Sequence, residues 1–263
     1  MKTPEKVGDI CKAMKEAAGD SAEISVKFRV GVDEEENLDF ISRFLDMVST
    51  KSSVTKYVLH ARRAWLKGLS PKQNRTVPPL NYDLVYETVK KYPEFVFIGN
   101  GGVETTEGVV EKLEKLDGVM IGRKIMHDPW FLQVLDREIY GIDESLVPTE
   151  EQVMSRYLDY ADMLQKTVGT KNTILAKPMF LIYKGNKGRF FRGQLGQLIS
   201  KVSGKRYVAG GIDKGDSLWG AESEIHGHPL FSTLVNETLH LCNKQFEHIK
   251  ARKETSAGIT SIH

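Results

Sequence analysis

The strongest constraint on the fold is a strand–glycine–helix unit that occurs twice in succession. Residues 96–102 begin as a short apolar run and end in glycines, and residues 118–123 repeat this order and end in Arg123. Helical patterns follow, from Thr105 and from about Asp128. Such units build parallel sheets, and their turns bind phosphates through backbone N–H groups at the carboxyl ends of the strands. The alternative, that these glycines serve only the backbone conformation of two tight turns, stays open at this point.

The same alternation of strands and helices extends over the first 140 residues. One helix is followed by four strand–loop–helix units, which predicts a parallel sheet. Four strands form either an open sheet or half of a closed barrel. A long polar loop, residues 61–81, follows the second strand, and loops of this length are usually functional. The predicted strands are 24–30, 57–60, 95–98 and 118–121, and the predicted helices are 3–18, 37–49, 82–91 and 105–116, with another from about Asp128.

The pattern changes after Gly141, where helices replace the alternation. Residues 149–152, Thr-Glu-Glu-Gln, form a capping box at the start of a helix that runs to about Lys166. We therefore predict an α/β domain over residues 1–141 and a mostly helical domain over residues 142–263. Further helices are predicted at 172–183, 190–202 and 229–253, with a loop at 184–188, no assignment for 203–228 and a frayed tail at the end.

The distribution of charge indicates a polyanion as partner. The total of 37 Lys+Arg against 35 Asp+Glu is too balanced to indicate nucleic-acid binding by itself. Residues 51–75, however, contain seven basic residues and no acidic one, and residues 171–206 contain nine basic residues and no acidic one. Two such tracts predict a surface that faces a polyanion, whereas either tract alone is explained as an ordinary solvated face.

Cysteine usage and hydropathy set the expected compartment. Cys11 and Cys242 have neither a disulfide framework nor the spacing of a metal site, so we expect no metal and a reducing compartment, cytoplasmic or organellar. No run approaches the roughly 18 consecutive apolar residues of a membrane span. The sequence after Met1 lacks the apolar segment of a signal peptide. We therefore expect no membrane association.

Polar residues stand at or just past the ends of the four predicted strands. They are Lys27, His60, Asn100 and Arg123. Because parallel strands end on one edge of a sheet, these side chains are expected to lie together, where ligands bind. Each residue alone has an ordinary explanation, as a surface lysine, a core histidine, a turn residue or an ion-paired arginine. Together they suit an anionic cofactor, because Lys and Arg bind phosphate and glycine backbone allows close approach.

Five stretches of the sequence form a distinctive set of motifs. They are Val26-Lys27-Phe28-Arg29-Val30-Gly31, His60-Ala61-Arg62, Ala64-Trp65-Leu66-Lys67-Gly68-Leu69-Ser70-Pro71-Lys72-Gln73-Asn74-Arg75, Asn100-Gly101-Gly102 and Gly118-Val119-Met120-Ile121-Gly122-Arg123. Taken together, they resemble the tRNA-dihydrouridine synthases. The loop that contains Gly-Leu-Ser-Pro-Lys and Asn-Arg indicates the bacterial A-type subfamily and its plant-like relatives. The resemblance is close over residues 1–140 and weakens toward residue 200.

The resemblance implies the C-terminal half of a TIM (β/α)8 barrel that holds FMN, followed by a helical domain that binds tRNA. It also implies a reaction in which reduced FMN, regenerated by NADPH, delivers hydride to a uridine in the tRNA D-loop while a cysteine supplies a proton. The positions that match flavin-binding residues are Lys27, His60, Asn100, Gly101, Gly102, Gly122 and Arg123. The positions that match tRNA-contacting residues are Lys72, Arg75, Arg189 and Arg192.

The sequence departs from the family pattern at its start. In the family, four strands and the catalytic cysteine precede the strand that carries Lys27, and that cysteine would lie two residues before Met1. Neither cysteine replaces it, because Cys11 faces the apolar stripe of the first helix and Cys242 lies outside any motif. We therefore expect a truncated form that is inactive alone, or a second chain that supplies the missing half-barrel.

Two other interpretations of the sequence stay open. A non-catalytic RNA-binding remnant of the family would keep the basic tracts without redox chemistry, and the absent cysteine favours this hypothesis. Lys27, His60 and the two glycine turns favour the flavin enzyme instead. A different FMN or sugar-phosphate barrel fits the glycine turns but not the acid-free residues 61–75.

Overall fold

A computed structural model describes the chain over residues 1–19, 22–203 and 229–259. The stretch 203–228, for which the sequence predicts no element, lies outside the described residues except for Ser203, and so do the last residues of the predicted tail.

The chain divides into two compact units. The FMN-binding role expected for the first predicted domain and the tRNA-binding role expected for the second stay predictions. The bounds of the first unit are Met1–Met126 and Val134–Ile142, and those of the second are His127–Gln133 and Asp143–His263.

The first unit alternates helices and strands. In chain order its elements are α1 (Pro4–Ala18), β1 (Ser25–Arg29), α2 (Leu38–Ser52), β2 (Lys56–His60), α3 (Tyr82–Lys91), β3 (Val96–Asn100), α4 (Thr106–Leu113), β4 (Gly118–Met120) and α5 (Arg123–His127), while α6 (Phe131–Glu138) contributes residues to both units. Side-chain caps define where several helices begin. The side-chain oxygen of Asn37 accepts a hydrogen bond from the N–H of Phe40 at the start of α2, and Asn81 accepts one from Leu84 at the start of α3.

The four strands form one sheet in the order β1-β2-β3-β4, and every neighbouring pair is parallel. The predicted α/β class with four parallel strands is thereby confirmed, and the arrangement is that of part of a TIM barrel. The register places Arg29 beside His60, His60 beside Asn100, and Asn100 beside Met120. The carboxyl ends of the strands are therefore level at one edge of the sheet.

The two faces of the sheet differ in burial. Tyr57 and Phe97 point toward the helices, are fully buried, and stack with ring centroids 6.0 Å apart. Burying one such aromatic side chain contributes about 2–3 kcal/mol to stability. On the other face, Val58 and Ile98 are only half-buried within the part of the chain that the structure describes. Parallel sheets are ordinarily covered on both faces, so this open face is unusual for its class.

The described residues of the second unit are mostly helical, as predicted. Its further elements are α7 (Glu150–Val168), α8 (Asn172–Met179), α9 (Gly185–Val202) and α10 (Phe231–Ile259). The predicted capping box is present, because the hydroxyl of Thr149 accepts from the N–H of Gln152 and the Gln152 side chain accepts from the N–H of Thr149. Phe191, Leu195 and Phe231 are among the buried residues of its core.

Two helix ends differ from the sequence prediction. The helix predicted at 172–183 ends at Met179, and the one predicted at 229–253 continues to Ile259 instead of giving way to a frayed tail.

Two helix starts differ as well. The predicted loop 184–188 is mostly the first turn of α9, which begins at Gly185. A side chain at Gly188 would collide with the carbonyl oxygen of Tyr183, so this glycine permits a close backbone approach rather than a loop. The helix expected from about Asp128 begins only at Phe131, and the preceding short helix α5 is not predicted by the pattern.

Candidate functional site

Side chains link the carboxyl ends of three strands in the first unit. Nζ of Lys27, in β1, donates a hydrogen bond to Oδ1 of Asn100, at the end of β3, over 3.0 Å. Nδ2 of Asn100 in turn donates to the carbonyl oxygen of Met120, the last residue of β4, over 2.8 Å. His60 ends β2 and pairs in register with Asn100. Strand pairing thus brings His60 and Asn100 to one edge. Lys27 does not end its strand as predicted, because β1 continues to Arg29 and Lys27 pairs with Val58, but its side chain reaches the same edge.

The turn after β3 needs both of its glycines. Gly101 has φ +119° and Gly102 has φ +71°, values that residues other than glycine rarely adopt. A Cβ at Gly101 would lie 2.9 Å from Cδ2 of His60, and one at Gly102 would collide with Leu80. The hydroxyl of Tyr82 donates to the carbonyl oxygen of Gly101 over 2.7 Å and holds the turn. Bare backbone therefore lies directly against the imidazole.

The second glycine turn reaches the same edge through its arginine. Arg123 is the first residue of α5, it is exposed, and its Nη2 donates to the carbonyl oxygen of Arg75 over 3.3 Å. Apart from Gly122 itself and its two chain neighbours, no described atom lies within 4 Å of the position that a Cβ at Gly122 would occupy, so packing gives no reason for that glycine. Of the predicted pair, Arg123 joins the edge by a described contact and Gly122 does not.

His60 lies in a field of positive charge. Burial, as the largest cause, lowers the pKa of its imidazole to about 4, so the ring is neutral near pH 7. The pKa of Lys27 is also lowered, first by burial and then by the charge of Arg29. An anion bound among these groups would relieve their mutual repulsion. Four cations lower the pKa of His60 further, namely Arg29, Lys27, Arg62 and Arg123.

The candidate residues chosen from the sequence omit Arg29 and Arg62. Arg62 is only 8% exposed, its Nη1 donates to the carbonyl oxygen of Thr76 over 3.2 Å, and its buried Nε has no hydrogen-bond partner among the described residues. Arg29 was identifiable from sequence, because it stands two residues from Lys27 and alternate residues of a strand share a face. Arg62 follows the strand end, where this periodicity no longer applies.

The loop between β2 and α3 brings its basic residues to the same edge. Lys72 and Arg75 are exposed and lie at the 3-10 turn Gln73–Arg75. The charge of Arg75 contributes to lowering the pKa of Arg29, after burial and the charge of Arg62. The predicted RNA-contacting residue Arg75 is therefore a neighbour of the cationic strand ends.

The two predicted RNA-contacting arginines of the second unit differ in their surroundings. Both lie on α9, three residues apart. Arg189 is exposed, whereas Arg192 is half-buried and its Nη1 donates to the carbonyl oxygens of Phe180 and Tyr183 over 3.3 and 3.1 Å. Arg189 therefore presents its charge to solvent, and Arg192 stabilises the turn between α8 and α9.

Both cysteines are packed into hydrophobic cores. Cys11 is buried in the core of the first unit and Cys242 in the core of the second, and burial raises the pKa of each thiol. Neither thiol is therefore exposed as a reactive group. Within the described residues, no group of three or more His, Cys, Asp or Glu side chains is placed to hold a metal ion. Among the described helices, none has the length and apolar character needed to cross a membrane.

Comparison with known families assigns the chain. A sequence profile of the family described as Dihydrouridine synthase (Dus) matches residues 1–209. The chain belongs to the dihydrouridine synthase family. The family expected from the motifs is thus confirmed.

Three curated relatives, each called tRNA-dihydrouridine(20/20a) synthase, show the extent of the similarity. The chain is 37% identical to the Vibrio vulnificus protein over 162 residues, which cover 62% of this chain and 49% of the relative. It is 35% identical to the Shewanella oneidensis protein over 188 residues, 72% of this chain and 55% of the relative. It is 41% identical to the Salmonella typhimurium protein over 137 residues, 52% of this chain and 41% of the relative. The chain spans about half the length of the curated relatives it matches.

The strand ends of this dihydrouridine synthase family chain have the chemistry to hold a phosphate-bearing cofactor. The Gly101–Gly102 turn offers backbone without side chains, and a Cβ would obstruct it. The buried, unpartnered Nε of Arg62 and the exposed guanidinium of Arg123 are donors suited to an anion. The neutral ring of His60 can donate a hydrogen bond from one nitrogen and accept one at the other.

Proposed function

We propose that the chain forms the FMN-phosphate-binding and tRNA-binding part of an enzyme that reduces uridine to dihydrouridine in the tRNA D-loop. The observation that carries the proposal is the meeting of Lys27, His60 and Asn100 beside the bare Gly101–Gly102 turn. Family membership supports the reaction class, and the printed names of the relatives support tRNA as the substrate.

The residues at the strand ends divide the work of holding the cofactor. Lys27 and His60 would contact the flavin ring, with Asn100 fixing the Lys27 ammonium group. Gly101 and Gly102 would contribute N–H groups to the phosphate, and Arg123 would contribute charge. Reduced FMN, when bound, supplies the hydride for the uracil double bond and is restored by NADPH.

The exposed basic residues would bind the RNA backbone. Arg75 lies beside the cationic strand ends and Lys72 borders the same turn, so phosphates that they bind would be held near the cofactor. Arg189 adds an exposed charge on α9. Each such contact releases counterions, which makes the logarithm of the affinity fall by about 0.7–0.9 per contact for each unit of log salt concentration.

Neither cysteine of the chain is placed to supply the proton for the second carbon of the uracil double bond. Cys11 and Cys242 are buried with raised pKa values, which suits packing rather than acid catalysis. We therefore propose that the polypeptide is inactive alone. The same burial favours the alternative function, an RNA-binding remnant without redox chemistry.

A further polypeptide region would complete the site. The open sheet face carries Val58 and Ile98. In a closed barrel this face would point inward and would be covered by side chains of the other strands. The part of the relatives that this chain does not match is long enough to supply the covering strands. We propose that such a region, in the same or another chain, seats on this face.

Reconstitution tests the proposal. The 263-residue polypeptide is co-expressed with the part of the Vibrio vulnificus relative that it does not match, and dihydrouridine is measured in D-loop-containing tRNA with FMN and NADPH. We expect product from the pair and none from the polypeptide alone. If the pair binds tRNA but does not bind FMN and does not form dihydrouridine, the enzyme proposal is refuted and the RNA-binding remnant is favoured. Product from the polypeptide alone would refute the assignment of the proton donor.

A further inference from the structure

Three successive carbonyl oxygens in the basic loop each accept a hydrogen bond from a different arginine. Arg29 ends β1, Arg62 lies just past the end of β2, and Arg123 begins α5 after β4. The carbonyls close the 3-10 turn Gln73–Arg75, whose last carbonyl groups carry partial negative charge. The turn is therefore fastened to the cationic strand ends. The pairs are Arg29 with Asn74 at 2.9 Å, Arg123 with Arg75 at 3.3 Å and Arg62 with Thr76 at 3.2 Å.

The side chain of Asn74 adds a second fastening across the loop. Its Oδ1 accepts from the backbone N–H of Trp65 over 2.8 Å, and its Nδ2 donates to the Trp65 carbonyl oxygen over 2.7 Å. The amide thus pairs with both polar groups of one residue, as a backbone partner in a sheet would. Among the common side chains, only a carboxamide of this length offers a donor and an acceptor side by side at this position.

The segment that Asn74 grips is itself anchored to the first unit. The N–H of Ala64 donates to the carbonyl oxygen of Gly31 over 2.9 Å. The N–H of Leu66 donates to Oδ1 of Asp33 over 2.8 Å. Asn74 therefore connects the turn to a segment that is fixed on either side of Trp65.

We infer that Asn74 is the positioning residue of the basic loop, holding its turn so that Lys72 and Arg75 bind an RNA phosphate together. The inference rests on the proposed tRNA binding. Lys72 and Arg75 are exposed, and their backbone belongs to the turn or borders it. Without the Asn74 amide, the turn keeps its arginine contacts but loses its link to the Trp65 segment. The freedom that the turn gains must then be removed on binding, and this weakens the affinity.

The expected effect follows from the two hydrogen bonds of the amide. Two bonds of ordinary net strength correspond to roughly a tenfold loss of tRNA affinity in Asn74→Ala. In a Lys72→Ala/Arg75→Ala background the same substitution has nothing left to position, so the further loss is less than about twofold. Asn243→Ala, an exposed asparagine on α10, is the matched control and leaves the affinity unchanged.

The test measures the binding of tRNA to the full chain by fluorescence anisotropy at several salt concentrations, with circular dichroism as the check on folding. The inference is supported if Asn74→Ala loses affinity about tenfold in the otherwise wild-type chain but not in the Lys72→Ala/Arg75→Ala background. The dependence of the affinity on salt should then also be shallower for Asn74→Ala than for the wild type. An equal loss in both backgrounds indicates a general structural defect and overturns it. If Asn74→Ala fails to fold, the comparison uses Asn74→Asp, which keeps the acceptor for Trp65 and must show the same dependence on background.

The outcomes separate this inference from the proposed function. If the wild-type chain binds tRNA and Lys72→Ala/Arg75→Ala weakens binding, but Asn74→Ala does not, only the role of Asn74 is refuted. If the wild-type chain binds no tRNA, the proposed RNA-binding role and the inference both fail.

Discussion

Replacement of Gly101 by alanine is the sharpest perturbation of the candidate site. At φ +119° an alanine is strained by about 1–3 kcal/mol, because its Cβ clashes with its own backbone. The new Cβ would also lie 2.9 Å from Cδ2 of His60 and from Cδ2 of Leu80. Leu80 is partly exposed and can move away, whereas the half-buried imidazole has less freedom. We expect Gly101→Ala to destabilise the first unit by roughly 2–3 kcal/mol.

Urea and thermal unfolding, followed by circular dichroism, measure this loss. A change of this size lowers the unfolding midpoint by about 5–15 °C. Gly108→Ala is the matched control, because Gly108 lies in α4 and its Cβ would come no closer than 3.4 Å to Oγ1 of Thr105. Since alanine is favoured over glycine in helices by about 0.5–1 kcal/mol, the control should be neutral or stabilising.

The essential result is that Gly101→Ala lowers the free energy of unfolding and Gly108→Ala does not. If Gly101→Ala unfolds within about 0.5 kcal/mol of the wild type, the turn does not hold the conformation described and the close approach of backbone to imidazole is wrong. If both substitutions destabilise equally, the loss reports a general intolerance of alanine rather than the geometry of the site.

Two further predictions concern ionisation and the second unit. The NMR titration of His60 should give a pKa of about 4. Because the pKa of histidine in the unfolded chain is near 6.5, the contribution of His60 to stability is largest above pH 6.5 and falls as the pH drops toward 4. A pKa above 6 in the folded protein would contradict the buried cationic environment. Arg192→Ala should destabilise the second unit by about 1–3 kcal/mol, because two carbonyl oxygens lose their donor. Arg189→Ala should change the unfolding free energy, measured by urea denaturation, by less than about 0.5 kcal/mol, because Arg189 is exposed. Equal effects would contradict the different surroundings of the two arginines.

The parallel sheet and most of the strand-end residues could be predicted because both follow from the local alternation of strands and helices. Short apolar runs mark the strands, and parallel pairing brings His60 and Asn100 to one edge regardless of side-chain detail. Lys27 reaches this edge only through its side chain, because it pairs with Val58 within β1. The linkage of Asn100 to Met120 depends on the register, which the sequence pattern leaves undetermined.

Residues whose role depends on a distant partner could not be predicted. The RNA contact expected of Arg192 stays a prediction, but its spacing and charge do not reveal that its Nη1 donates to the carbonyl oxygens of a turn. Gly188 looks like a loop residue because glycine is common in loops, yet it lies inside α9 where the backbone of Tyr183 approaches. In both cases the deciding contact is tertiary, and local propensity carries no information about it.

The affinity for FMN tests the central claim most directly. The chain is combined with the complementary part of the Vibrio vulnificus relative, and the quenching of FMN fluorescence is titrated for the wild type, Arg123→Ala and Arg137→Ala. Arg137 is an exposed arginine on α6 and serves as the matched control. Because a charged donor to phosphate contributes about 1.5–3 kcal/mol, Arg123→Ala should bind at least about tenfold more weakly, while Arg137→Ala stays within about twofold of the wild type. Equal affinities for all three proteins would contradict the claim that these strand ends bind the cofactor phosphate.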